Sequence, residues 1–198
     1  MHKKIAPSSS NIFHVTLFFG LYLFSLSSKA WAVNITTDTT VSNDLTTQHV
    51  LTQDNVTLTV TGSIKRSANI TVNASSRTNP TITNSGTISS DGTVAIRIVS
   101  ATNATITNNA GGVISAEIAT IFTDTADTGL TITNSGKIIN TGSDNFALRL
   151  DSIASGTITN NAGGSILSNS TSGGAIKLGS GATITNRGEI RNDSSVTN

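Results

Sequence analysis

Polar and apolar residues alternate in short bursts through most of this chain, and the bursts are copies of one another. Thr81 to Ile88 reads TITNSGTI, and the phrase returns as TITNNAGGVI at Thr105, TITNSGKI at Thr131, TITNNAGGSI at Thr157 and TITNRGEI at Thr183. Alternation of this kind puts isoleucine on one face of a strand and threonine on the other. The central isoleucines Ile82, Ile106, Ile132, Ile158 and Ile184 stand 24, 26, 26 and 26 residues apart. A fixed period of that size predicts a stack of like units, each one coil of a solenoid.

Each coil divides into three short strands. The first is Thr-Ile-Thr, and the second centres on the isoleucine after a glycine: Ile88, Ile114, Ile138, Ile166 and Ile190. The third is Val94-Ala95-Ile96-Arg97-Ile98, with counterparts in Phe146 to Leu150 and Ala175 to Leu178. Strand alternation sends Ile96 and Ile98 inward and Ala95 and Arg97 outward. Ser115 to Phe122 carries two competing alternations, Ile118, Thr120 and Phe122 against Ala119 and Ile121, so its register is open.

Asn-Ser-Gly or Asn-Asn-Ala-Gly-Gly separates the first strand from the second. Asn and Gly tolerate the left-handed backbone of a tight corner, which predicts a turn there. In a stack, Asn84, Asn108, Asn134, Asn160 and Asn186 would lie above one another and exchange amide hydrogen bonds. Turn chemistry accounts for these asparagines, so they read as a structural ladder and not as ligand groups.

Strands linked in this way predict an all-β fold, a right-handed parallel β-helix, right-handed crossover being the default for connected parallel strands. About six coils at ~4.8 Å per strand give a rod of roughly 30 Å. The coils begin at Asn55 with a degenerate copy, since Leu58, Ile64 and Val72 precede Ile82, Ile88 and Ile96 by 24 residues. Residues 33–54, with scattered Val41, Leu45 and Val50, read as an N-terminal capping region, which a solenoid needs to cover its first strand edges. The repeats occupy 55–198 and stop midway through a coil, so the chain reads as truncated at its C-terminal end. An uncapped end of that kind is expected to fray or to associate.

Residues 1–32 differ in kind. Lys3 and Lys4 make a positive start, Ile12 to Leu26 is apolar, and Ala30-Trp31-Ala32 has the small-x-small form read by signal peptidase, which predicts cleavage after Ala32. The apolar run is shorter than the ~20 residues a membrane-spanning helix needs. Cleavage would remove three lysines and leave nine Lys or Arg against eleven Asp or Glu, which excludes a basic nucleic-acid footprint. The chain has no cysteine, so an exported form would rely on stacking and not on disulfides. Four of the six Phe, the only Tyr and the only Trp precede residue 33, so the core must be aliphatic.

Candidate chemistry is sparse. His49 is the one histidine after the leader, has no neighbours spaced for a metal or a catalytic triad, and reads as a solvated residue of the cap. Asp124, Asp127 and Asp151 fall in equivalent loops of adjacent coils. With so few oxygen ligands they read as acidic turn residues facing water and not as a calcium site. Arg97, Arg149 and Lys177 line one outward face, where long cations blunt lateral pairing of sheets; a site for an acidic glycan or lipid headgroup is the alternative reading, set against the near-absence of the aromatic platforms that sugar-binding faces usually present. No catalytic, cofactor-binding or metal-binding residues are assigned.

The leader, the absence of cysteine and the repeated ITNSGxI phrase together resemble the passenger domain of a bacterial autotransporter, with the likeness running from Asn55 to the last residue. The resemblance implies export, a cell-surface or outer-membrane location for the full-length protein, and a periplasmic or secreted fragment. It also implies an outer-membrane barrel elsewhere in that protein, and a stalk or adhesin contacting a host or cell-surface ligand. Two other functions fit the fold. One is a polysaccharide-acting β-helix enzyme with its catalytic coils beyond residue 198. The other is ice binding, because the Thr-x-Thr pairs are similar to the threonine arrays of ice-binding solenoids.

Overall fold

In the computed structural model, residues 32–123 and 127–193 are described. The leader as far as Trp31, including Ala30, lies outside them, as does Asp124.

The repeat closes into three parallel sheets of seven strands each, with no helix among the described residues. The first sheet runs from Thr39–Val41 through Thr81–Asn84, Thr105–Asn108, Leu130–Asn134 and Gly156–Asn160 to Ala182–Asn186. A second begins at Asp44–Leu45 and passes through Thr87–Ser90, Val113–Ala116, Lys137–Asn140 and Ser165–Ser168 to Glu189–Asn192. The third begins at Ala32–Ile35 and Gln48–Leu51 and ends with Ala119–Thr123, Phe146–Leu150 and Gly174–Leu178. The chain visits the sheets in turn, so each strand pairs with its counterpart one coil away, and the whole is a parallel solenoid of about six turns.

Register follows the sequence repeat. Ile82, Ile106, Ile132, Ile158 and Ile184 pair in one row, and Ile88, Ile114, Ile138, Ile166 and Ile190 in another. The inner isoleucines of the middle coils are at most 1% exposed and form one continuous aliphatic column. Burying each such side chain contributes about 1.5–3 kcal/mol, and no coil achieves that burial without its neighbours. Ile184 keeps the register but is 39% exposed, because no described strand covers its far side.

The segment 33–54 carries strands of its own. Ile35, Val41 and Leu51 are buried in the same column, and Val41 pairs with Val60 and Leu45 with Ile64. The open register at 115–122 resolves as Ala119–Thr123, with Ile121 in the core row between Ile96 and Leu148 and Phe122 turned outward.

The third sheet departs from simple alternation. Ala95 is buried along with Ile96, and Ala147 along with Leu148, so the outward placement of Ala95 is corrected. Register aligns Thr71, Ala95, Thr120, Ala147 and Ala175 as a row of small side chains. Thr71 Oγ1 donates to Ser89 O at 2.7 Å and Thr120 Oγ1 to Ile139 O at 2.7 Å, so this row lies against the backbone of the second sheet. From Thr71 to Ala175 the row holds only Ala or Thr, side chains short enough to lie against that backbone.

The corner between first and second strands is also tighter than its composition suggests. None of Gly86, Gly136 or Gly188 has a positive φ, so the left-handed reading of the Asn-Ser-Gly corner is corrected. Glycine is required there because backbones of successive coils touch: a Cβ on Gly86 would strike Gly62 O, and one on Gly136 would strike Gly112 O. Of the described corners between first and second strands, only the longer ones contain left-handed glycines, Gly111 and Gly163, each at φ 83°, and each faces open space.

Candidate functional site

Chemistry in a solenoid is confined to what each face repeats. Inside the first corner, Asn84 Nδ2 donates to Asn108 Oδ1 at 2.9 Å, and the bonds from Asn108 to Asn134, Asn134 to Asn160 and Asn160 to Asn186 are each 2.8 Å. Four of these residues are wholly buried, while Asn186 is exposed. The same Nδ2 atoms also reach carbonyls of the corner and of the next coil, as Asn134 does to Gly136 O at 3.2 Å and to Ser165 O at 3.1 Å. Asn84 Oδ1 is buried without a partner, because the residue one coil below is Val60, which has no side-chain donor. The amide nitrogens of the four buried asparagines are spent on one another and on backbone, out of reach of a ligand.

A second asparagine row at the corner before the first strand is harder to find from sequence. Asn55, Asn79 and Asn103 have φ of 57°, 52° and 53°, and Gly129 follows at 69°. Asn79 Nδ2 donates to Asn55 Oδ1 at 2.7 Å and Asn103 Nδ2 to Asn79 Oδ1 at 3.2 Å. This is where the left-handed corner lies. Its signal was a lone Asn recurring at 24 residues before Val56, Pro80 and Ala104.

The outward face of the first sheet is a charge-free array. Thr57 and Thr59 align with the pairs flanking Ile82, Ile106, Ile132, Ile158 and Ile184 in unbroken register. Thr131, Thr157, Thr183 and Thr185 are exposed and the remainder half-buried.

Charge and aromatic surface gather on the third sheet. Register aligns Arg97, Phe122, Arg149 and Lys177 in one outward row. The Arg149 guanidinium lies 5.1 Å from the centre of the Phe122 ring, and Lys177 Nζ lies 5.9 Å from that of Phe146. Asp151 Oδ2 receives Lys177 Nζ at 2.9 Å and Arg149 Nε at 3.4 Å. Asp151 is thus no water-facing turn residue: it joins two like charges that neighbouring strands would otherwise set in repulsion. Partial burial pushes its carboxyl up, but the Lys177 hydrogen bond, a backbone hydrogen bond and the charges of Arg149 and Lys177 together hold it below the usual carboxylate value. Arg149 Nη1 also donates to Asn145 Oδ1 at 3.4 Å.

Two other polar residues take structural posts. Asp127 is 1% exposed and its Oδ1 accepts Ala101 N at 2.6 Å, so it caps the backbone one coil below and does not face water. His49 is 2% exposed, in register between Val33 and Val72, so the solvated reading is corrected. Its Nδ1 lies 3.1 Å from Thr47 O, which assigns the proton to Nδ1. Burial pushes its pKa below the ordinary value, the Thr47 bond opposes that shift, and the Arg66 charge adds to it. Among the described residues no three His, Asp or Glu side chains gather as metal ligands.

Comparison of the chain with protein-family models, with curated proteins and with solved structures finds no match.

Proposed function

We propose that this chain is an exported passenger segment of the autotransporter type, a right-handed β-helix serving as a stalk or as an adhesive surface. The observation that carries the reading is the unbroken register of one repeat through three parallel sheets. Such an arrangement builds length and lateral surface, and its polar groups are spent on bonds between coils. The N-terminal sequence supports export: a charged start and an apolar run lead to Ala30-Trp31-Ala32, whose last residue opens the first strand and pairs with Gln48. In this reading an outer-membrane barrel belongs to the full-length protein, and the described faces would meet a host or cell-surface partner.

The test is made on cells expressing the protein from its own gene. Protease added to intact cells should destroy the epitope of the repeat region, and mass spectrometry should find Val33 as the N-terminus. An uncleaved leader together with full protection in intact cells would overturn the reading.

A further inference from the structure

We propose that the outward row of the third sheet, around Phe122, Phe146, Arg149 and Lys177, is a binding site for an acidic polysaccharide bearing carboxylate or sulfate groups. This names the partner class for the adhesive surface proposed above and rests on that reading.

Placement of the aromatics is the first ground. Only two Phe follow the leader, and both stand half-buried on this one face, while the core is filled by aliphatics. A ring with one side on the protein and the other toward water offers a flat apolar surface, the kind that the C–H face of a sugar ring covers.

The second ground is that the cations are held in place. Arg149 and Lys177 each stack on a Phe, and a single carboxylate oxygen of Asp151 fixes both. A free lysine or arginine loses rotamer freedom when it grips an anion, and here much of that freedom is already gone. Neither cation is consumed. Their side chains are 36% and 48% exposed, Lys177 has two further N–H donors, and Arg149 has a guanidinium edge beyond those facing Asp151 and Asn145. A carboxylate or sulfate can bridge the two from the solvent side through charge-assisted bonds.

Spacing is the third ground. Arg97 lies in the same row two strands from Arg149, a separation of about 9.6 Å at the parallel-strand spacing. A chain polymer lying along the stack, with negative groups at intervals, meets cation, ring and cation in succession.

Affinity electrophoresis of the full chain tests this, with polygalacturonate, dextran sulfate or neutral dextran cast in the gel. The expected result is retardation by both acidic polymers, weakened by salt, and none by neutral dextran. Arg149→Gln with Lys177→Gln should weaken the interaction about tenfold or more, the loss expected for two charge-assisted contacts. Arg187→Gln with Arg191→Gln, which removes two cations from elsewhere, should leave it unchanged. Circular dichroism establishes that each variant is folded, and Lys177→Gln alone serves if the double variant is not. No retardation by either acidic polymer, or equal losses in the two double variants, would overturn the proposal. Cell-surface protease accessibility and the Val33 N-terminus are read separately, so export can stand while the glycan site falls.

Discussion

Replacing one rung in the middle of the buried asparagine row should cost far more than replacing the rung at its start. Asn134→Val removes the acceptor of the Asn108 bond and the donor of the Asn160 bond, both at 2.8 Å. Two ladder bonds at ~1 kcal/mol each are lost, Asn160 Oδ1 is left buried without a donor at ~1–3 kcal/mol, and valine burial returns ~1 kcal/mol. The net loss is about 3 kcal/mol. Asn84→Val is different because the row begins there. Asn84 Oδ1 already lacks a partner. Substitution transfers that condition to Asn108 Oδ1, so the count of orphaned acceptors is unchanged and only one ladder bond is lost, about 1 kcal/mol; the contacts of Asn84 Nδ2 with Gly86 O and Val113 O are lost too, but Asn134→Val loses the equivalent pair and they cancel in the comparison. Val60 one coil below shows that valine is accommodated at this position. Urea unfolding followed by far-UV circular dichroism, with m-values compared to confirm that the same structure unfolds, measures the difference. Equal midpoint shifts would mean that the amides contribute no more than ordinary buried side chains, and the ladder argument would fail.

Three further outcomes are expected. His49 is held neutral in the core with its pKa lowered from 6.5, so the unfolded chain binds the proton more readily; stability is full above about pH 6.5 and falls as pH drops toward the folded value. Thermal melts of His49→Leu should lose that part of the acid dependence, and an unchanged pH profile would show that another group carries it. Gly136→Ala forces a Cβ into the backbone of the coil below and should cost more than about 2 kcal/mol, whereas Gly111→Asn, open to solvent and left-handed, should cost under about 1 kcal/mol; the reverse order of melting temperatures would refute the contact. The threonine face is expected to give no more thermal hysteresis in freezing assays than a control protein, since threonine is the ordinary polar choice on a solvent-facing strand; clear hysteresis would make ice binding the better reading.

What could be read in advance was whatever repeats. Ile82 and its counterparts, and Asn84 and its counterparts, recur at a fixed interval, and stacking turns an interval into a row, so pairing and ladder were both legible from spacing. Ala95, Thr120 and Ala147 were harder, because what surrounds them is the backbone of another sheet, and strand alternation knows nothing of the angle between sheets. His49 and Asp127 occur once each, so no period marks their place; one fills a core position and the other meets a backbone N–H a coil away. Phe122 was ambiguous locally and is settled only by its neighbours Arg97 and Arg149, which fix which alternation faces water. The acidic-polysaccharide face was half visible, as a row of cations. Its aromatic partners and the pivot at Asp151 emerge only when distant coils are laid side by side.

The two corner types also imply a grammar for how such a chain can change. Asn-Asn-Ala-Gly-Gly has two residues more than Asn-Ser-Gly, yet Ile106 and Ile114 keep the pairings of Ile82 and Ile88 on both sides of it. The surplus is absorbed at Gly111 and Gly163, where an added Cβ would meet only open space. Inheritance by duplication therefore has a strict part and a lenient part: the interior rows keep buried side chains of similar shape, as Leu58 under Ile82 and Val60 under Asn84 do, while this corner can be spelled in more than one way. A foreign peptide spliced in at Gly111 would be carried on the outside of the stack, one coil from its neighbours, without the interior being rewritten.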